Sequence, residues 1–97
     1  MLRTSLAKKI IREVKNFIEE DLIIVDKSGI IVASTDPDRL GHFHEGAFLA
    51  VSDKQMRIIS KQDETTLSGV KAGITLPLLH QQKVVGVIGI TGTPEKV

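Results

Sequence analysis

The chain has no cysteine, tryptophan or tyrosine, and three phenylalanines are its whole aromatic complement among 97 residues. Without cysteine there is neither a disulfide framework nor a thiolate metal site, as expected of a protein in a reducing cytoplasm. Three Phe residues leave no platform on which single-stranded bases could stack. Charge of one sign is missing too. Thirteen Lys and Arg stand against twelve Asp and Glu, a formal +1, so no net field draws the chain to nucleic acid or to anionic lipid. No apolar run approaches the length of a membrane span. The opening M-L-R-T-S-L-A-K-K-I-I-R-E-V-K has neither the continuous apolar core nor the small-residue cleavage site of a secretory signal. A cytoplasmic location with no membrane partner follows as the expectation. Repeats and low-complexity tracts are absent as well.

What is present reads as one globular domain. Apolar residues make up 41% and charged residues 26%, a balance that excludes intrinsic disorder, and a chain of this length buries roughly 60 to 65% of its unfolded surface. Leu2, Leu6, Ile10, Val14, Phe17 and Ile18 recur three or four apart with charges between them, which predicts an N-terminal amphipathic helix. Its stripe is expected to pack on the protein's own sheet, and its first turns to offer a helix-to-helix dimer contact. Leu22 to Val25 and Ile30 to Ala33, joined by Asp26-Lys27-Ser28-Gly29, predict a β-hairpin. Met56 to Ile59 predicts a third strand, and Thr65 to Ser68 a turn of helix. Ile74 to Leu79 and Val84 to Ile90, either side of His80-Gln81-Gln82-Lys83, predict an antiparallel pair with an irregular point at Pro77. The last run is apolar on both faces and predicts a central strand covered on both sides. The fold class is therefore α+β: a PAS- or Cache-like, mainly antiparallel sheet of about five strands, with a short helical insertion roofing a ligand pocket.

The segment Ser34 to Ala47, S-T-D-P-D-R-L-G-H-F-H-E-G-A, concentrates the chemistry. It gathers one arginine, two of the three histidines, three acids and two glycines in fourteen residues. Asp36-Pro37-Asp38 is a turn signal. Gly46 to Val51 predicts the first turns of a helix, which places His44 and Glu45 at an N-terminus suited to a carboxylate or phosphate. The pattern H-x-H with one Glu lacks a third firm ligand and the H-E-x-x-H spacing, so no metal is expected. No cofactor motif occurs.

Three stretches, R-L-G-H-F-H-E-G-A at Arg39 to Ala47, V-K-A-G-I-T-L-P-L at Val70 to Leu78 and V-V-G-V-I-G-I-T-G-T-P-E at Val84 to Glu95, occur in the order found in a known family. In them the chain resembles the N-terminal sugar-diacid recognition domain of bacterial carbohydrate diacid regulators, activators of glucarate, galactarate and glycerate utilisation. The likeness runs from the first helix to the last residue. It implies that residues 1–97 are an excised sensor of a longer regulator, whose DNA partner would be engaged only by a C-terminal helix-turn-helix region absent here. Thr75 departs from the Asn of G-I-N-L-P in relatives, so the contact there is expected to be weaker or different.

The resemblance places a small sugar acid between the Arg39 to Gly46 loop and the Gly73 to Pro77 strand. Arg39 would hold a carboxylate bidentately. His42 and His44 would donate, with a pKa free to rise beside an anion. The backbone N–H groups of Gly46 and Ala47 would take the carboxylate end-on, Glu45 and Thr75 would serve hydroxyls, Lys71 would add a cation, and Gly73 would line the strand side. Two other classes of function compete with a non-catalytic sensor. One is a small-acid hydrolase or isomerase using His44 and Glu45 as acid and base. The other is a structural dimerisation module with a degenerate pocket.

Overall fold

A computed structural model of the chain describes residues 4–92. Helix α1 spans Thr4–Val14, and strands β1 (Leu22–Val25) and β2 (Ile31–Ser34) follow it. The turn between the strands is closed by Asp26, whose carboxylate accepts the N–H groups of Ser28 and Ile30 at 2.9 and 3.0 Å. Gly29 sits there at φ +89, in the left-handed region that glycine enters at no steric cost. Between the β1–β2 pairs Ile24↔Ala33 and Val25↔Ile31 one residue, Val32, is extra. This bulge turns Ala33 towards one face of the sheet and Ile31 towards the other.

Helix α2 (Glu45–Asp53), strand β3 (Arg57–Ile59) and the single-turn helix α3 (Asp63–Thr66) come next. The long hairpin of β4 (Gly73–His80) and β5 (Lys83–Thr91) completes the sheet. Gln81 and Gln82, both at positive φ, make its two-residue turn, the geometry whose twist matches paired strands. All pairings are antiparallel, in the order β2-β1-β5-β4-β3. The mixed helices and five-stranded antiparallel sheet agree with the α+β expectation. Pro77 stays in register opposite Val87, and the irregularity falls one residue later, between Leu78 and Leu79. Pro77 lies beyond the β3 pairing, which stops at Thr75, so on that side its missing N–H costs no ladder bond.

Each face of the sheet carries a core. Ala7 and Ile11 of α1 pack with Leu22, Ile24 and Ala33. On the opposite face Ala47 of α2 packs with Ile23, Val25, Ile31 and Val87. One sequence expectation is corrected here. The buried centre of α1 runs through Ala7 and Ile11, with Ile10, Val14 and Ile18 partly buried beside it, while Leu6 is 47% and Phe17 86% exposed. Leucine and phenylalanine marked the periodicity, but the line that meets the sheet is rotated by one residue, because the small Ala7 admits the closest approach. Leu2 lies outside the described residues. The two helices are staggered across the sheet, α1 chiefly over β2 and β1 and α2 chiefly over β4, β5 and β3. The central strand β5 packs on both faces as expected, with Ile88 and Ile90 against the core under α1 and Val87 in the core under α2.

Candidate ligand site around the Arg39 to Ala47 loop

The loop leaves β2 through a 3-10 turn at Pro37–Arg39, started by the Asp36 side chain, which accepts the N–H of Asp38 at 3.1 Å. Proline occupies the first helical position, where its missing donor is harmless. The chain then folds back on β2: Ile31 N–H donates to His42 O and Gly41 N–H to Ile31 O, both at 2.9 Å. His44 N–H donates to Gly29 O at 2.7 Å. That bond ties the start of α2 to the β1–β2 turn.

His44 is the N-cap of α2. Its ring is 2% exposed, and its Nδ1 accepts the N–H of Ala47 at 2.9 Å, so the neutral imidazole carries its proton on Nε2. Burial, and after it the charge of Arg39, push its pKa down to about 4. One expectation falls with this: the Ala47 N–H is not open to an anion, because the histidine already satisfies it.

Arg39 Nη2 donates to Gly69 O at 2.8 Å, thirty residues along the chain. Its guanidinium is partly buried; desolvation lowers its pKa from the ordinary value, and the carboxylates of Asp36 and then Asp21 oppose that. Glu45 holds the same connection from the other side. Its N–H donates to Ser68 O at 2.9 Å, and its Oε1 accepts from Ser68 N–H at 2.8 Å. Gly69, at φ +72, lies so close to Phe43 O that a Cβ would come within 2.0 Å of that oxygen. Lys71 Nζ stands 3.9 Å from Asp36 Oδ2.

The fold therefore brings Arg39, His44, Glu45, Gly46, Ala47 and Lys71 to one end of the molecule, around Ser68 and Gly69. His42 is exposed on the loop surface. Gly73 and Thr75 lie in β4 under α2. Gly73 packs its Cα side against Ile90 O, and the Thr75 hydroxyl, on a side chain 2% exposed, donates to Arg57 O at 3.1 Å. Gly46 faces Ile59, whose Cδ1 a Cβ would meet at 2.7 Å, so its smallness serves helix-to-sheet packing. An open groove of about 350 Å³ lies on the other face of the sheet, lined by Lys8, Ile11, Arg12, Ala33, Ser34 and Leu40. Sequence reasoning passed over Asp36 as a partner of Lys71, and Ser68-Gly69 as the partner of Arg39 and Glu45. The Ser-Gly dipeptide, itself a turn signal, was the cue for the second.

Residues 2–97 match the family described as "Putative sugar diacid recognition". The chain belongs to that family. Among curated relatives, the sugar diacid recognition domain is 48% identical over 96 residues to the protein YsfB of Bacillus subtilis (strain 168), covering 99% of this chain and 26% of that one. It is 39% identical over 98 residues to the carbohydrate diacid regulator of Escherichia coli (strain K12), covering 99% and 25%. The chain thus spans about a quarter of the length of these relatives. Among solved structures, the GAF domain of Acinetobacter phosphoenolpyruvate-protein phosphotransferase superposes with a TM-score of 0.68, covering 94% of this chain and 68% of its own at 15% identity. At that identity the likeness concerns the fold alone, and it places the sheet and its helices in the GAF and PAS-like class. No helix among the described residues is long and apolar enough to cross a membrane.

Proposed function

We propose that this domain is a non-catalytic sensor for a small hydroxylated carboxylate of the glucarate, galactarate or glycerate class. It works in the cytoplasm as a homodimer paired through its N-terminal helix, and it passes its ligand state to a helix-turn-helix DNA-binding region of a longer regulator. The observation that carries this reading is the tie of Arg39 to the carbonyl of Gly69. A guanidinium has five donors and a fork that matches a carboxylate, and here the charge bonds a neutral carbonyl at the seam between two chain segments. An arriving carboxylate competes for that charge, with Lys71 beside it, and releases or re-forms the seam. The two states then differ in their affinity for the ligand, which is what switching requires. His42, Gly73 and Thr75 join the site only as the segments rearrange. Family membership and the name of the Escherichia coli relative support the same class of ligand.

The acid–base alternative has less support. His44 Nδ1 is spent on the helix cap, which takes the imidazole out of service as a base, and Glu45 Oε1 accepts from Ser68 N–H, a structural bond across the seam.

Calorimetric titration of the chain with glucarate, galactarate and glycerate, repeated on Arg39→Ala, tests the proposal. Saturable binding by the natural sequence that Arg39→Ala abolishes is the expected result. Binding unaltered by Arg39→Ala, or no heat with any of the three acids at millimolar concentration, overturns it.

A further inference from the structure

Charge is unevenly divided at the Arg39 end of the molecule. Four carboxylates are anchored there through one oxygen each. Asp21 Oδ1 accepts the Thr35 hydroxyl at 3.0 Å, Asp36 Oδ1 the N–H of Asp38 at 3.1 Å, Glu45 Oε1 the N–H of Ser68 at 2.8 Å and Glu64 Oε2 the N–H of Ala72 at 2.6 Å. The end of β5 ties this cluster together: Thr91 N–H donates to Asp21 O and Gly92 N–H to Ala72 O, at 2.9 and 2.8 Å. Two cations reach it, Arg39 through Gly69 O and Lys71 through Asp36. Lys15 donates instead to the carbonyls of Glu19 and Glu20. Among the described residues the second oxygens of Asp21, Glu45 and Glu64 accept no hydrogen bond, and that of Asp36 has only Lys71, at 3.9 Å.

A dicarboxylate needs two sets of donors. One of its carboxylates fits the guanidinium fork of Arg39. For the other the remaining cation is Lys71, and that ammonium already stands beside Asp36. A second ligand carboxylate there would lie against Asp36, while both Asp36 and Asp21 are near enough to act on the charge of Arg39, so like charges would meet. A hydroxyl in the same place has the opposite fit. It donates to a free carboxylate oxygen, a charge-assisted bond, and brings no charge of its own.

We infer that the site selects a polyhydroxy monocarboxylate over the dicarboxylate of equal chain length, with the acid group on Arg39 and the far hydroxyls on Asp36 and its neighbouring carboxylates. The inference rests on the reading that Arg39 receives a carboxylate and narrows it, although the family's description speaks of diacids. Asp36 is then a specificity-determining residue. It holds Lys71 back from a second carboxylate and offers a hydroxyl its own oxygen.

Calorimetric titration of the chain at low ionic strength with two matched pairs tests this: gluconate against glucarate, and glycerate against tartronate. The members of each pair differ at one end, hydroxymethyl or carboxylate. In any pair that binds, the monoacid is expected to bind at least ~5-fold more tightly, and the preference to shrink at high salt. Asp36→Asn keeps the turn, since an amide oxygen also accepts the Asp38 N–H, but it removes the charge and frees Lys71. The diacid then gains on its partner by at least ~3-fold. A diacid that binds as tightly as its monoacid partner overturns the inference, and so does a preference that Asp36→Asn leaves unchanged. Neither result touches the sensor reading, which stands or falls with Arg39→Ala. No heat with any of the four acids overturns the inference, and the sensor reading falls with it if galactarate fails as well.

Discussion

His44 Nδ1 accepts the backbone N–H of Ala47 at 2.9 Å from a ring that is 2% exposed. One histidine thereby caps α2, and its own N–H bonds the β1–β2 turn through Gly29 O. Capping by imidazole works only while Nδ1 keeps its lone pair. The start of the helix that roofs one face of the sheet is therefore tied to the protonation state of a single side chain.

The first prediction follows from that tie. An unfolded histidine titrates near 6.5 and the folded one near 4, so between these values the unfolded chain binds the extra proton. Stability is fully present above pH 6.5 and is lost as pH falls towards 4, by about 3 kcal/mol in all from this one group. Asn caps a helix well and does not titrate. Urea unfolding at pH 7, 6 and 5 is expected to show a steeper acid loss for the natural sequence than for His44→Asn. Parallel pH profiles for the two would disprove the coupling.

A second prediction concerns Arg39. Its positive charge is the second cause of the low His44 pKa, after burial. In Arg39→Ala the imidazole of His44, followed by NMR, is expected to titrate at a higher pH than in the natural sequence. It stays below 6.5, since burial remains. An unchanged titration would mean that the guanidinium does not reach the histidine electrostatically. A bound carboxylate acts in the same direction as Arg39→Ala, because it offsets the same charge. The titration thus serves as a ligand reporter.

Most of the fold was legible because its signals are local. Two β-branched runs around Asp26 to Gly29, and the pair flanking Gln81-Gln82, specify hairpins by alternation and turn chemistry alone. His44 and Glu45 fell at a helix start as expected. The rotation of the α1 stripe was not legible, because Ala7 carries little hydrophobic signal and its burial depends on the sheet it meets.

At the candidate site, local sequence indicated which residues gather and not what they bond. Arg39, Glu45 and Lys71 stand at one end of the molecule, yet their partners are Gly69, Ser68 and Asp36. All three pairings span more than twenty residues, and no local pattern encodes them. The free helix N-terminus foreseen for an anion was a general property of helices. The particular residue before the helix had already taken one of its donors, the Ala47 N–H.

The third prediction tests the seam between the two segments without touching a charge. Gly69 has φ +72, and a Cβ there would approach Phe43 O to 2.0 Å. Backbone against backbone cannot yield as a flexible side chain can, so Gly69→Ala adds a displacement of one segment to the left-handed strain of a non-glycine residue. A loss of at least ~2 kcal/mol in urea unfolding is expected, towards the large end for a single substitution. Hydrogen exchange separates this from a diffuse effect. The amides of Glu45 and Ser68, which bond across the seam, should exchange faster, while Ile24 and Val87 in the centre of the sheet lose protection only in step with the global stability. If Gly69→Ala were neutral and left the Glu45 and Ser68 amides protected, the two segments would not be packed as closely as this geometry requires. The Arg39 bond to Gly69 O would then lose its standing as the element a ligand has to displace.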